Sequence, residues 1–589
     1  MFGPRLSKFT IKKFGKEIEP QEILLDSLAQ KKERELGISE KKLEVPLSQK
    51  ILRGLWLGFL VLIFILFAKT AQLQVLEGKD FSQLSEENRF VIHLIQAQRG
   101  VIYDKDLNQM VSNKPSFDLV CDGQIVSENL DHQTLIFYEV KINEFPGCEI
   151  KNNTAREYQQ GSVFSHVIGY QRKTGEKTGL EDYYNDVLKA KPGEIQITRD
   201  VYGNLLAKEI ISQPSSGQSL VLHLDSDLQE KLSQSLAKSI KNTGASGGAA
   251  IALNPQNGGV LALVSFPSFN ANLFSQGITE EQWQEIENNP ADPLFNRAIA
   301  GGYLTGSTIK PLIASAVLEE GIIQPEKKIY CSGGIIIPHS WIPNASTTKD
   351  DWTTHGWTDM RKAIAESCNV YFYTVGGGYE NQEGLGPTKI KEYLELFGWG
   401  DKTGIDLPGE AEGFLPDKNW KKETWGYDWW DGDTYNLSIG QGFLKITPLE
   451  VVNSFAAIAN GGTLYQPQVV KEIIGEEKNL VEEIKPKIIR QNFIDSDNLQ
   501  IVREGMRQAV TGVNSPQASA VLLNSLPVPV AAKTGTAELG NNYYHNWVTV
   551  FAPYENPQIV LTIMIEKVKR EQVAALPVAK KVLEWYFNR

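Results

Sequence analysis

The sequence predicts an α+β chain of several domains: one spanning helix near the N-terminus, an irregular α/β module, and a C-terminal domain whose antiparallel strands bracket a long helical middle. Three observations carry this. At 589 residues the chain exceeds one ordinary domain. A single uncharged apolar run occupies Gly54 to Ala68, between Arg53 and Lys69. Short apolar strands fall in two sets, one near residue 250 and one near the C-terminus, with helical periodicity between them.

The N-terminal residues 1–50 carry 11 Lys/Arg against 8 Asp/Glu, which the positive-inside tendency assigns to the cytoplasm. The apolar run, extended by its snorkelling flanks to residues 51–76, is long enough for one membrane span. A cleaved signal peptide is the competing reading, but a leader of about 50 residues, rich in both charge signs, precedes the run and no clean small-residue cleavage site follows it. The later apolar runs are short, so the working part is expected outside the cytoplasm. With 41% hydrophobic and 22% charged residues it should fold as globules, and a formal charge of −12 makes nucleic acid a poor partner.

Residues 77–218 mix short β-type runs, Phe90 to Ile95 and Phe117 to Cys121, with polar helical stretches. The small-residue run Ser212 to Gln218 reads as a linker, and a strand at Leu220 to Leu224 and a helix from Asp225 (Leu228, Leu232, Leu236) open the domain 219–589. Gly248 to Leu253 and Gly259 to Val264 form a hairpin around Asn254-Pro-Gln-Asn-Gly258. Val528 to Thr536, Trp547 to Ala552 and Ile559 to Glu566 supply three more strands, followed by an amphipathic helix over about Arg570 to Tyr586.

Ser307-Thr-Ile-Lys310 places a hydroxyl and an amine on one helix face, where a neutral amine can take the hydroxyl proton. Ser39, Ser235 and Ser346 also stand three before a lysine, so spacing alone does not select. Ser307 is set apart by the glycines before it (Gly301, Gly302, Gly306) and the apolar helix Pro311 to Leu318 behind it. Among Ser-x-Asn candidates, Ser367-Cys-Asn369 sits at a turn between two helical runs; Ser496-Asp-Asn498 reads as a helix start and Ser268-Phe-Asn270 is the third candidate. Lys-Thr-Gly occurs at Lys173, Lys177, Lys402 and Lys533, and Lys533-Thr-Gly535-Thr536 alone ends an apolar strand, where a substrate backbone and carboxylate can lie along the edge.

Ser307/Lys310, Ser367/Asn369 and Lys533/Thr534/Gly535/Thr536 stand in the order shared by β-lactamases and penicillin-binding proteins. With Gln98-Arg-Gly-Val-Ile-Tyr-Asp104, Thr178-Gly-Leu-Glu181, Pro293-Leu-Phe-Asn-Arg297, Thr403-Gly-Ile-Asp-Leu-Pro-Gly409, Ser438-Ile-Gly-Gln-Gly442 and His545-Asn-Trp547, the chain resembles the class B penicillin-binding proteins over nearly everything after residue 50, in detail the elongation type. The division type is the neighbouring subfamily. Thr305 departs from the proline many relatives carry there, with little effect expected.

The resemblance implies a pedestal or dimerisation-like module before a transpeptidase domain, whose five-stranded antiparallel sheet is flanked by helices and a large helical subdomain. It implies that Ser307 is acylated by a peptidoglycan stem peptide and by β-lactams. Lys310 would be the base, Ser367 a proton relay, and Asn369 a holder of the substrate amide. Lys533, Thr534, Gly535 and Thr536 would bind the terminal carboxylate, with the Ser307 and Thr536 amides as oxyanion hole. The chemistry would need no cofactor. Implied partners are a polytopic SEDS-family glycosyltransferase and rod-complex scaffold proteins, at the cell membrane. A D,D-carboxypeptidase or β-lactam hydrolase is the enzymatic alternative, though no E-x-x-L-N sequence supplies the deacylating glutamate of class A β-lactamases. A β-lactam sensor or inactive scaffold is the non-enzymatic one.

Cys331, Asp350 or Asp351, His355 and Cys368 fall within 38 residues and suit a tetrahedral structural Zn²⁺, which some relatives resemble. A Cys331–Cys368 disulfide and two free thiols are the alternatives, and Cys121 and Cys148 form a second possible pair.

Overall fold

The computed structural model describes residues 27–28, 30–32, 34–37, 48–172, 174–200, 204–338, 346–569 and 573–589. They divide into two compact units, one running to Val91 with Ile197–Ala207, the other comprising Ile92–Gln196 and Lys208–Arg589. In the first, Ser48 caps helix α1 (Gln49–Ala71), its side chain accepting the Ile51 N–H, so the helix starts two residues before the expected span. A π-helical turn, Gln72–Leu76, continues it. Gln49–Leu76 is long and apolar enough to cross a membrane, with a mean hydropathy of 2.5 and no buried side chain in its apolar window. Most of the basic N-terminal segment, including Arg5 to Lys16, lies outside the described residues.

The second unit opens with a long antiparallel ladder, β1 (Gln109–Cys121) against β2 (Cys148–Tyr158). Cys121 and Cys148 face each other at its end and are joined as a disulfide. Toward the other end Arg156 and Arg99 converge on Glu181, whose side chain is fully buried, at 2.6 and 2.8 Å. Tyr158 and Asn113 join the cluster, so each charge has partners for its hydrogen-bonding atoms. Burial pushes the Glu181 carboxyl up, but the two guanidinium groups outweigh it and hold it below its ordinary value.

Ser219–Leu222 pairs in parallel with Ile102–Tyr103 and antiparallel with Val470–Ile474, so one sheet ties the module to the C-terminal domain. The small-residue run before it is mostly exposed, with Gly217 buried at its end. A Cβ on Gly217 would lie 1.9 Å from the Leu188 carbonyl, and one on Gly100 1.8 Å from that of Gln218. Glycine is required there by close approach of two backbones.

In the C-terminal domain, Asp225 caps α2 (Ser226–Thr243), which buries the expected Leu228, Leu232 and Leu236. The hairpin is β3 (Gly247–Leu253) and β4 (Val260–Phe266). The helical middle includes α3 (Lys310–Glu319), α4 (Met360–Glu366), α5 (Asn369–Gly377) and α6 (Lys418–Trp425). Three strands follow, β5 (Ala531–Gly540), β6 (Tyr543–Ala552) and β7 (Ile559–Lys569), then helix α7 (Ala575–Tyr586). The five-stranded antiparallel sheet runs in the order β4-β3-β7-β6-β5. Both faces are buried. On β3, Ala250 and Ala252 pack with α2 and α7, while Ile251 and Leu253 join the core containing Leu312 and Ile313 of α3. Strand β5 begins at Ala531, three residues after the expected start, because Pro529 has no N–H to give a ladder. Residues 570–572 of the expected C-terminal helix lie outside the described residues, and the helix itself begins at Ala575.

Glu181→Ala leaves the buried Arg156 and the largely buried Arg99 without their counter-charge and is expected to cost about 3–5 kcal/mol. The check is the denaturant midpoint of the second unit, with wild type run alongside.

Candidate active site

The backbone brings Ser307 and Lys533 together through glycines. Gly306, in a left-handed conformation (φ 52°), opens the 3₁₀ turn Gly306–Ile309 that carries Ser307 into α3. A Cβ on Gly306 would sit 2.5 Å from the Thr536 carbonyl, and one on Gly535 2.7 Å from the Thr308 side chain. Strand β5 can therefore lie against this turn only with glycine at both positions. Thr305 is fully buried, its carbonyl accepting the Thr308 hydroxyl at 2.9 Å. Ser307 is half-buried and Thr536 exposed.

The third element meets them from α4. Ser367 ends that helix at φ 57°, a left-handed conformation that costs a serine roughly 1–2 kcal/mol. This turn directs its carbonyl and hydroxyl at one point. The Lys310 ammonium donates to the Ser367 carbonyl at 2.7 Å, to the Asn369 Oδ1 at 2.6 Å and to the Ser367 Oγ at 3.3 Å. Lys533 donates to the same Oγ at 2.9 Å and to the Thr534 carbonyl at 2.8 Å. Both lysines are completely buried. Burial brings the Lys310 ammonium down to about 8, against the opposing pull of Asp351 and then the two cysteine thiols. Burial, and then the Lys310 charge, drives Lys533 well below the ordinary lysine value. A hydroxyl between two amines, both held below the ordinary lysine value, can pass a proton near the turn that carries Ser307.

Behind Ser367 lies the predicted Cys/Asp/His/Cys set. The ligand atoms of Asp351, His355 and Cys368 lie within 4.8 Å of one another, and the Cys331 sulfur is 2.7 Å from that of Cys368. Of the two aspartates, Asp351 is the one in the group. Cys331 and Cys368 are free thiols, which sets aside the disulfide alternative in this structure. The His355 Nε2 is buried without a hydrogen-bond partner among the described residues, 3.5 Å from an Asp351 oxygen, whereas its Nδ1 is held by Glu366 at 2.8 Å. An orphaned ring nitrogen with a carboxylate and the Cys368 thiol within reach, its other nitrogen oriented by an acid, suits a metal such as Zn²⁺. Asp351 also accepts the Val370 N–H at 2.9 Å, so the cluster fixes the start of the helix that carries Asn369. Sequence reasoning missed Glu366; its signal was an acid directly before the Ser-Cys-Asn motif, inside an otherwise apolar helix end.

The decoys lie elsewhere in local roles. Ser496 starts a helix capped by Asp495, Asn270 caps Ala271–Ser275, and Ser235 is buried within α2. The Lys177 ammonium bonds the nearby Gly175 carbonyl; Lys173 and Ser39 are outside the described residues.

Comparison with known proteins agrees with this geometry. The family pattern of the penicillin binding protein transpeptidase domain matches residues 248–584, and that of the penicillin-binding protein dimerisation domain matches residues 121–222. The chain is 31% identical to the peptidoglycan D,D-transpeptidase MrdA of Acinetobacter baumannii, over 90% of this chain and 86% of that one. The penicillin-binding protein PBP2 of Helicobacter pylori, solved in complex with MreC, superposes with a TM-score of 0.70 at 25% identity, covering 85% and 99% of the two chains. A chain of a peptidoglycan synthase complex that coordinates polymerization and crosslinking superposes at 0.68, with 25% identity and 92% and 99% coverage.

Gly306→Ala forces a Cβ against the Thr536 carbonyl, so the rate at which the chain takes a fluorescent penicillin is expected to fall by about tenfold to a hundredfold. Gly321→Ala, equally left-handed but facing open space, serves as control and should leave that rate within about twofold.

Proposed function

Because the chain belongs to the penicillin-binding protein transpeptidase family, we propose that it cross-links peptidoglycan stem peptides during cell-wall elongation, as a serine D,D-transpeptidase that β-lactams inhibit. The observation that carries this reading is the cluster of Lys310, Asn369 and Lys533 around the Ser367 hydroxyl, next to the turn bearing Ser307.

Ser307 attacks the penultimate D-alanyl carbonyl and D-alanine leaves, giving an acyl-enzyme that an acceptor amine from a neighbouring stem resolves. Lys310, neutral in the reactive state, takes the hydroxyl proton. Ser367 passes a proton between the two amines and the leaving nitrogen; its bonds to both lysines favour that role. Asn369 orients the substrate amide and the Lys310 amine together. Lys533, Thr534 and Thr536 receive the terminal carboxylate along the β5 edge, where Gly535 leaves room for the close approach of backbone. The Ser307 and Thr536 amides form the oxyanion hole, an assignment favoured by the contact of Gly306 with the Thr536 backbone. The transpeptidase family acts without a cofactor. We assign Cys331, Asp351, His355 and Cys368 to a structural zinc that would brace the Ser367 turn and take no part in the chemistry; the orphaned His355 nitrogen favours it.

The chain is built as 1–50 cytoplasmic, 51–76 spanning, 77–218 pedestal and 219–589 catalytic, with the catalytic part outside, a topology favoured by the excess of Lys/Arg before the span. The pedestal takes a scaffold protein and a SEDS-family glycosyltransferase as partners, as the MreC and synthase complexes of relatives suggest.

Fluorescent penicillin is expected to label the wild-type chain and Ser346→Ala stably over hours and to leave Ser307→Ala unlabelled; label that persists on Ser307→Ala, or that hydrolyses quickly from wild type, refutes the reading. The labelling rate should rise as pH passes through about 8 and level off above it, because the base is the neutral Lys310. An unshifted lysine near 10.4 would be under about 1% neutral at that pH. Lys310→Arg, which cannot deprotonate, should lose about 10²- to 10⁴-fold in labelling rate at every pH.

A further inference from the structure

A second recess adjoins the catalytic turn. A groove of about 640 Å³ is lined by Phe414, Trp420, Trp425, Phe443, Lys445 and His545, and it also reaches Leu304 and Leu539. Leu304 precedes Ser307 by three positions and Leu539 follows Thr536 by three, so the groove runs from both catalytic elements. Its size is in the range of pockets that hold small organic ligands, roughly 300–1,000 Å³.

The wall is aromatic and held rigid. Phe414 packs edge-on to Trp420 at 4.9 Å between centroids, and Trp420 and Trp425 flank Phe443 at 5.2 and 5.7 Å. Helix α6 carries both tryptophans between an Asp417 cap and a left-handed Gly426. Past it the surface goes on with Tyr427 and Trp430. Trp425, Tyr427 and Trp430 are 55, 62 and 63% exposed, too much for rings that serve the core alone. Lys421 sits 4.5 Å over the Trp430 ring and is paired with Asp433, and Lys422 is paired with Asp428. Of the groove's lining, Lys445 supplies the cation, and His545, 7% exposed, has an Nδ1 without a hydrogen-bond partner among the described residues.

This chemistry discriminates among ligands. A stem peptide is anionic and would seek several cations, yet Lys421 and Lys422 beside the groove are neutralised by carboxylates, which leaves Lys445 as the one cation of its lining. A flat, uncharged ligand with polarised C–H groups on one face and polar groups at its rim suits the electron-rich faces of indole rings beside aspartates. Sugar rings are such ligands, and peptidoglycan carries its stem peptides on a chain of N-acetylated amino sugars. We propose that the Trp420/Trp425/Phe443 groove is a subsite for the glycan strand, gripping sugar rings beside Ser307 while the attached peptide enters the catalytic cleft. This deepens, and rests on, the transpeptidase reading.

The test titrates the full detergent-solubilised chain with the uncharged β-1,4-linked tetrasaccharide of N-acetylglucosamine, read by calorimetry and by intrinsic tryptophan fluorescence. Expected are saturable heat, a fluorescence change, and a Kd at least about tenfold higher for Trp425→Ala with an unchanged thermal midpoint, largely restored in Trp425→Phe. Should Trp425→Ala melt early, the fluorescence response of the wild-type chain still decides. The proposal is overturned if wild-type protein that takes fluorescent penicillin shows neither heat nor fluorescence change, in which case the aromatic face belongs to a protein partner. It is overturned equally if Trp425→Ala binds the tetrasaccharide as tightly as wild type. A wild-type chain that takes no penicillin would remove the transpeptidase reading, and this one with it.

Discussion

The structure depends on keeping two lysine amines, Lys310 and Lys533, wholly out of water around a single serine hydroxyl. Two ammonium groups in that space repel each other and lose hydration, so one must give up its proton, and the remaining hydrogens need acceptors fixed in advance. Those acceptors come from the Ser367 carbonyl and hydroxyl, the Asn369 amide and the Thr534 carbonyl. Much of the surrounding architecture serves to hold them still.

That demand explains features with no local rationale. Ser367 keeps a left-handed backbone because a right-handed one would carry helix α4 onward and turn its carbonyl away. The Asp351/His355/Cys331/Cys368 cluster sits directly behind that turn, with the Cys368 sulfur accepting the Tyr371 N–H and Asp351 accepting that of Val370, which pins the start of α5. Glu366 orients the histidine from the last position of α4. Gly306 and Gly535 let a strand and a 3₁₀ turn touch without side chains between them. The module repeats the principle with Glu181 between Arg99 and Arg156, where buried charges are tolerated because their geometry is complete.

The groove beside the site follows a different logic. Its rings pack against one another at edge-on and tilted angles on a short helix, with Trp425 open to solvent, which separates them from the buried aromatics Trp399 and Trp547 of the core. A rigid exposed ring loses little conformational freedom when it is covered, so this surface is prepared for a ligand.

Much was legible in the sequence because it was encoded locally. The apolar helix α1 announced itself by composition, α2 by an Asp225 cap and leucines at fourfold spacing, and the hairpin by its Asn-Gly turn. The decoy motifs could be set aside from their surroundings, since capping residues and strand ends are short-range signals. The start of β5 was placed early because the apolar run hid the effect of Pro529. Glu366 passed unnoticed, since its partner His355 stands eleven positions away on another element. The sequence by itself determined which side chains were available and in what order. Only the tertiary structure decided that Lys310 and Lys533 share one hydroxyl, because bonds spanning 57 and 166 positions depend on how a strand, a turn and two helices pack. Local propensity carries no information about such distances, whereas burial of both sheet faces and the two contact glycines leave the chain little freedom to arrange them otherwise.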